Sequence, residues 1–355
     1  MARLTKKGTE IEFSGKNCWV GVDVHKASYA VSILSEEGLH KEFTSNANPK
    51  KLLLQLVAMG IVIKALAYES GPTGFSLAWA CQDAHIKVVV AAPSRIPRPI
   101  AASGKTDRLD CMKLAEFLAK GMIKSIAIPT KEECHLRALE RRRQQVVKAK
   151  RKVRQHIKAL LLFHDIEEPK GLSNWGKAGL ERLADLVLPE NLRQTLDSYL
   201  TEHTFWVAEL KTLRQLIAKA AINNNKQEVI ACLQTVPGIG ETIAHTFVAE
   251  IFDPKRFRRA EEICAYVGLA PIIRHSGSGK PSSRLGQSGQ NYLRSILVEA
   301  SWRLLAAENY YKEFYTKIRI RTGIPQKAIT AVARKLLVLL WRIAVGCKAY
   351  RPVQV

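Results

Sequence analysis

Residues 18–34 read Cys18-Trp19-Val20-Gly21-Val22-Asp23-Val24-His25-Lys26-Ala27-Ser28-Tyr29-Ala30-Val31-Ser32-Ile33-Leu34. The stretch opens as an apolar run of the kind that fills a buried strand. It closes on the alternation Tyr29, Val31, Ile33 of a strand with one face in a core. Glu36-Glu37-Gly38 supplies the turn into a third strand, Leu39–Thr44. Pro49 then opens a helix with Leu52, Leu53, Leu56 and Val57 on one face. Further on, the pattern predicts a strand at Ala65–Glu69, a helix at Thr73–Ala84 and a buried strand at Lys87–Ala91. The order β-β-β-α-β-α-β is that of an α/β domain with a mixed sheet. A loop of Pro93, Arg95, Pro97, Arg98 and Pro99 leads to a helix near Asp107–Lys120.

The character changes after residue 128. From Leu136 a heptad runs through Leu139, Val146, Val153 and Leu160 at one seam position and Leu136, Arg143, Lys150 and Ile157 at the other, which predicts a long coiled-coil-like helix. Between Lys131 and Lys158 it carries eleven Lys/Arg against three Glu. A second long helix over Pro189–Ala221, with Leu196, Leu200, Val207, Leu210, Leu213 and Ile217, is placed to pair with it antiparallel. Their apolar seams predict self-association as well. The last third reads as mainly α, with helices near Gln290–Ala307 and Gln326–Gly346 and a Ser/Gly-rich loop from His275 to Gly289. The expected organisation is an α/β domain over 1–128, a long-helix region for nucleic-acid binding and oligomerisation over 129–228, and a mainly α domain over 229–355.

The 355 residues hold 55 Lys+Arg against 32 Asp+Glu, a formal charge of +23, with 47% hydrophobic content. That apolar fraction excludes disorder as the main state. The charge calls for a polyanionic partner, and nucleic acid is the best match. A membrane is the weaker reading. Met1–Gly15 lacks the apolar stretch of a cleaved signal, and the most hydrophobic segment, Ala328–Val345, is broken by Arg334, Lys335 and Arg342. Seven scattered cysteines without a C-x-x-C pair imply neither a disulfide framework nor a zinc cluster. A reducing cytoplasm is the expected setting.

Asp23 and Glu69 end the first and second buried apolar strands, so in a sheet with those strands adjacent both carboxylates leave one edge. Asp107 and Asp110 are spaced i, i+3 at a helix start and share a face. Taken singly, each has an ordinary role: a turn or cap for Asp23, an N-cap for Asp107, a solvent-facing strand end for Glu69. Converging at about 4 Å, four acids repel unless divalent cations neutralise them. Mg²⁺ suits such an oxygen-only set and serves phosphoryl transfer. His25, close behind Asp23, reads as structural.

Several features suit a nucleic-acid backbone. Val236-Pro237-Gly238-Ile239-Gly240 lies between helical patterns, so Gly238 and Gly240 can bring backbone N–H groups to a phosphate, as in a helix-hairpin-helix element. A plain tight turn is the competing reading. Arg141, Arg142, Arg143, Lys148, Lys150, Arg151 and Lys152 form the basic face of the long helix. Arg143 and Lys150 fall on the seam, where a charge must be paired or meet a polyanion. In His275-Ser276-Gly277-Ser278-Gly279-Lys280-Pro281-Ser282-Ser283-Arg284, a linker by composition, a serine has the chemistry to attack a phosphodiester, with Lys280 or Arg284 meeting the developing charge.

The ordered motifs resemble a known family. Gly21-Val22-Asp23-Val24-His25-Lys26, Glu69-Ser70-Gly71-Pro72 and Lys105-Thr106-Asp107-Arg108-Leu109-Asp110 resemble the N-terminal DEDD domain of bacterial insertion-sequence transposases of the IS110 and IS1111 group. Val236–Gly240, Tyr266-Val267-Gly268-Leu269-Ala270-Pro271, His275-Ser276-Gly277 and Asn291-Tyr292-Leu293-Arg294 are similar to the family's C-terminal domain. The resemblance covers about residues 17–307. It implies an RNase H-like, RuvC-like first domain with Asp23, Glu69, Asp107 and Asp110 as Mg²⁺ ligands. It also implies a catalytic serine that joins to DNA, placed on Ser276 with Ser278 as its rival. A guide RNA encoded by the element, and a homo-oligomer (dimer or tetramer) in which one subunit's acids meet another's serine, complete what membership implies. Gln287-Ser288-Gly289 stands where relatives have a basic residue before the glycine. The reading is an RNA-guided DNA recombinase. Its rivals are a metal-dependent junction nuclease without a covalent intermediate and a non-enzymatic nucleic-acid-binding protein.

Overall fold

Asn17–Val24 forms strand β1 at the centre of a five-stranded sheet, and the neighbours on its two sides explain its continuous apolarity. Strand β2 (Ser28–Ser35) pairs antiparallel with it, and β3 (His40–Asn46) pairs antiparallel with β2. Helix α1 (Pro49–Ala58) is capped by the Asn48 side chain, which accepts from the Lys51 N–H. Strand β4 (Val62–Glu69) returns parallel to β1. Helix α2 (Ser76–Asp83) then leads to β5 (Val88–Ala91), which is parallel to β4. The strand order is β3-β2-β1-β4-β5. The computed structural model describes residues 13–96, 107–274, 282–286 and 289–352, in two compact units, Met1–Thr130 and Lys131–Val355.

Alternation along the strands divides the first unit's core in two. Cys18, Val20, Val22, Tyr29, Val31, Ile33, Leu66, Tyr68 and Val90 point to one face and pack with Leu52, Leu56, Leu77 and Cys81 of α1 and α2. Ala65, Ala67, Val89 and Ala91 point to the other, against Leu114 and Leu118 of helix α3 (Asp107–Ala119). This second face is made of small residues because α3 lies nearly on the backbone. A Cβ at Gly21 would stand 2.1 Å from the Cys111 carbonyl oxygen and 2.6 Å from the Ala115 nitrogen.

In the second unit α4 (Lys131–Phe163) and α6 (Glu190–Asn223) form an antiparallel pair. Three layers fix the direction: Leu136 packs with Ile217 and Ala221, Val146 with Leu210 and Leu213, and Val153, Ile157 and Leu161 with Leu196. A 3-10 turn at Leu172–Asn174 and helix α5 (Lys177–Ala184) contribute Leu172 and Leu183 to the last layer. Much of each seam is thus buried against the other within one chain, while Val207, Phe205 and Leu216 of α6 and Leu162 and Phe163 of α4 stay exposed.

A helical body follows: α7 (Gln227–Gln234), α8 (Glu241–Ile251), α9 (Ala260–Val267), α10 (Asn291–Ala307), α11 (Asn309–Thr322) and α12 (Pro325–Gly346). Strands β6 (Pro271–Arg274) and β7 (Ser282–Leu285) pair antiparallel, β7 falling inside the stretch that the sequence reads as a loop from His275 to Gly289. Helix α12 buries Val332, Leu336, Leu337 and Leu340 in this body, and among the described residues no helix is long and apolar enough to cross a membrane. The first unit is therefore a mixed α/β sheet domain, and the remainder is mostly helical.

Candidate functional site

The acids of the first unit gather through register. Val22 on β1 is level with Tyr68 on β4, so Asp23 and Glu69, each one residue beyond that pair on adjacent parallel strands, leave the sheet side by side. Both follow the small residues Gly21 and Ala67 by two positions, which puts them on the face that α3 covers. Helix α3 begins at Asp107, whose side chain lies outside the described part, and carries Asp110 beside the Cys111 that lies over Gly21. Burial pushes the Cys111 thiol up to about 11, and the negative charges of Glu42 and Asp23 add to the shift. Glu69 is exposed and Asp110 half-buried, and neither has an ion pair among the described residues. His25, also two residues from Asp23, places Nε2 3.2 Å from the Asp23 carboxylate. His25 stands just past the end of β1, and its i, i+2 spacing from Asp23 is the sequence signal for that contact.

A fit to a metal rests on the chemistry of the donors. Asp23, Glu69 and Asp110 supply only carboxylate oxygens, the ligand set that Mg²⁺ prefers. No group of three or more His, Cys, Asp or Glu close enough to hold a metal occurs among the described residues, a set that excludes the Asp107 side chain.

In the second unit the expected basic face divides by burial. Arg143 is 5% exposed; its guanidinium is 2.9 Å from Glu140 and donates to the Thr246 and Tyr292 hydroxyls. Of the two alternatives for a seam charge, the structure supplies pairing, and Arg143 does not face a polyanion. Arg141 is half-exposed and grips Glu250 with two hydrogen bonds of 3.0 and 3.1 Å. Arg142 lies 3.8 Å from Glu209 and over the Trp206 ring. Lys148, Arg151 and Lys152 are exposed. Burial lowers the Lys150 pKa, helped by the nearby charges of Arg154 and Arg214. That crowd of like charges would gain from a neighbouring polyanion. Gly238 (φ +84°) turns the chain between α7 and α8, and a Cβ there would meet Ala300 and Arg303 of α10 at 3.0 Å, so its first duty is close packing. Gly240 is exposed at the α8 N-cap, with Glu241 in the first turn.

Comparison with known proteins decides the family. A DEDD transposase model of the IS110 type matches residues 20–164, and the model described as Transposase IS116/IS110/IS902 family matches residues 230–316. The chain belongs to this transposase family. It is 24% identical to the transposase for insertion sequence element IS1111A of Coxiella burnetii over 72% of this chain and 70% of that one. It is 24% identical to the transposase for IS1533 of Leptospira borgpetersenii over 81% of this chain and 85% of that one. A Sinorhizobium fredii protein, y4qE, named as a transposase candidate, is 25% identical over 93% of this chain and 89% of its own length.

As a transposase the protein is an enzyme of DNA recombination, and DNA is its substrate. Ser276, Ser278 and Lys280 lie in residues 275–281, outside the described residues, as does Arg98. Strands β6 and β7, on either side of that segment in the sequence, pair from Pro271↔Leu285 to Arg274↔Ser282. Arg284 falls within β7, its side chain outside the described part.

Proposed function

We propose that this transposase excises and inserts an insertion sequence by cutting and rejoining DNA strands through a covalent serine intermediate. Asp23, Glu69, Asp107 and Asp110 would hold Mg²⁺, which when bound supplies charge stabilisation to a phosphodiester under attack. The supporting observation is the side-by-side placement of Asp23 and Glu69 on the face that carries α3, the helix of Asp107 and Asp110. The strand order, with β1–β3 antiparallel and β4 and β5 parallel to β1, supports reading residues 1–128 as an RNase H-like domain of RuvC type. Residues 129–228 and 229–355 follow as the long-helix region and the serine-bearing domain, with Val236–Gly240 as its helix-hairpin-helix element.

The Ser276 hydroxyl oxygen attacks phosphorus and forms a Ser–O–P ester while the bond to the departing strand breaks, leaving that strand a free hydroxyl. The serine proton passes to solvent base, and Lys280 and Arg284 meet the charge on the phosphoryl oxygens. Reversal by a different strand's hydroxyl rejoins the DNA. Without an evident major-groove reader, site choice is assigned to base pairing with a guide RNA, held on basic, backbone-directed surfaces by a homo-oligomer.

The test is to incubate the protein, its copurifying RNA and element-end DNA with Mg²⁺, denature, digest, and map any DNA-linked peptide. The expected adduct is on Ser276. An adduct on Ser278 moves the nucleophile, and DNA cut with no adduct favours the junction-nuclease chemistry instead.

A further inference from the structure

Between α11, α12 and the β6–β7 hairpin lies a groove of about 1010 Å³ whose lining includes Lys317, Arg321, Lys327, Arg334 and Lys335 and, among the described residues, no Asp or Glu. Two of these cations are fixed into its floor. Arg334 Nε donates to the Leu269 carbonyl at 2.8 Å, and Lys335 Nζ donates to the Tyr310 hydroxyl at 2.6 Å while lying 3.9 Å from the Phe314 ring centroid. The other three are exposed on the rim and have no ion pair among the described residues. The first turn of α12, reached through Gln326 and Lys327, contains no acid, so the helix's positive end adds to the same field. Five like charges around one groove are held at a cost that an anion would remove.

The spacing favours a repeating anion over a single one. Lys317 and Arg321 are one helical turn apart, about 6 Å, and Lys327 and Arg334 two turns apart, about 10 Å, so cations recur along both walls. A nucleic-acid strand carries phosphates at regular intervals along its axis. Apolar lining from Phe314 and Ile318 offers contact for sugars and bases. The groove also borders the hairpin that flanks the serine segment. Pro271 and Leu285, which line it, are the pair at the open end of that hairpin, and three further residues on each strand, about 10 Å, lead from them to Arg274 and Ser282, next in sequence to residues 275–281.

We propose that this groove binds the phosphodiester backbone of the DNA strand on which the hairpin loop acts. The choice of DNA rests on the reading above that this loop carries the nucleophile. The decisive experiment uses full-length, nuclease-treated protein and element-end DNA, with affinity measured across a salt series. The combined variant Lys317→Gln, Arg321→Gln, Lys327→Gln should make the slope of log affinity against log salt shallower by about 2 to 3, at roughly 0.7–0.9 per lost phosphate contact. A control of equal charge on the first unit, Lys50→Gln, Lys51→Gln, Lys87→Gln, should change it by less than about 1. An unchanged melting temperature of the groove variant shows that it folds. No change in the DNA slope, an equal change in the control, or a change of the same size with RNA of the same sequence overturns the proposal. The serine reading fails separately: wild-type protein that forms no adduct but loses slope in the groove variant sinks the serine and leaves the groove, and the reverse pattern sinks the groove alone.

Discussion

The candidate-site acids of the first unit and the core acids of the second are in different situations. In the second, Glu140 is held by Arg143, Glu250 by Arg137 and Arg141, and Glu133 by Lys226. Burial pushes the Glu140 carboxyl above the ordinary range even against the pull of Arg143 and the Thr246 hydroxyl, as expected of a charge built into a core. In the first unit Glu69 and Asp110 have no ion pair among the described residues, and Asp23 lies 3.2 Å from the Nε2 of the half-exposed His25. In a chain with 55 Lys+Arg, acids that leave adjacent strands on one face of a sheet, with no Lys or Arg ion pair at Glu69 or Asp110 among the described residues, are available for chemistry. The paired ones hold the helices together.

The comparison predicts different consequences when each kind of acid is removed. Asp23→Ala, Glu69→Ala, Asp107→Ala or Asp110→Ala should each lower strand cleavage a thousandfold or more, about 4 kcal/mol of lost transition-state stabilisation, with the melting temperature unchanged or raised. Near-wild-type cleavage in any one of them removes that residue from the set. Arg143→Met should do the reverse, costing about 3 kcal/mol of stability by stranding Glu140, with DNA binding per folded molecule unchanged. Adding Glu140→Leu should recover most of that loss, and a denaturant melt of the single and double variants checks it. If Arg143→Met instead weakens DNA binding and leaves stability intact, the buried-pair account fails.

A smaller change probes how the acids are positioned. Gly21→Ala forces a Cβ into the backbone of α3, and overpacking of this kind costs about 2 kcal/mol. Because α3 carries Asp107 and Asp110, cleavage should fall further than stability alone explains, measured under conditions where the variant is fully folded. Equal loss in both would make Gly21 a packing residue only.

The smallest effect lies in the helix pair. Burial, with Arg154 and Lys150 adding to it, lowers the His203 pKa to about 4, and Arg154 Nε donates to its ring nitrogen at 3.0 Å. The unfolded chain therefore binds a proton near pH 6.5 that the native state refuses. Stability present at neutral pH is lost as the pH falls from that value toward 4. Between pH 7 and pH 5.5 the loss should be about 1 kcal/mol, and His203→Gln should flatten that part of the profile.

Much of the first unit is legible in the sequence because its signals are local. The run Trp19–Val24, the alternation Tyr29, Val31, Ile33 and the capped start at Pro49 each specify an element without distant context. The candidate acids are legible as strand ends and as an i, i+3 pair. Their convergence needed the register of β1 against β4, which no single segment carries. Helix α11 escaped notice because Tyr311 is its one buried residue among a charged and aromatic surface, so it lacks an apolar stripe. The partner of Arg143 escaped for a different reason. Glu140 is close in sequence, but Thr246 and Tyr292 lie on other helices, and a basic run looks the same whether one of its members turns inward or all face solvent.

The central claim is that β1, β4 and α3 assemble a divalent-metal site from the carboxylates of Asp23, Glu69, Asp107 and Asp110. Fe²⁺ in place of Mg²⁺, with ascorbate and peroxide, cuts a polypeptide near the bound ion, and mapping those cuts on the full-length protein needs no DNA and no turnover. The account predicts cuts near residues 23, 69 and 107–110, suppressed by excess Mg²⁺ and by Asp23→Asn. Cuts elsewhere, or the same cuts undiminished in that variant, would contradict it.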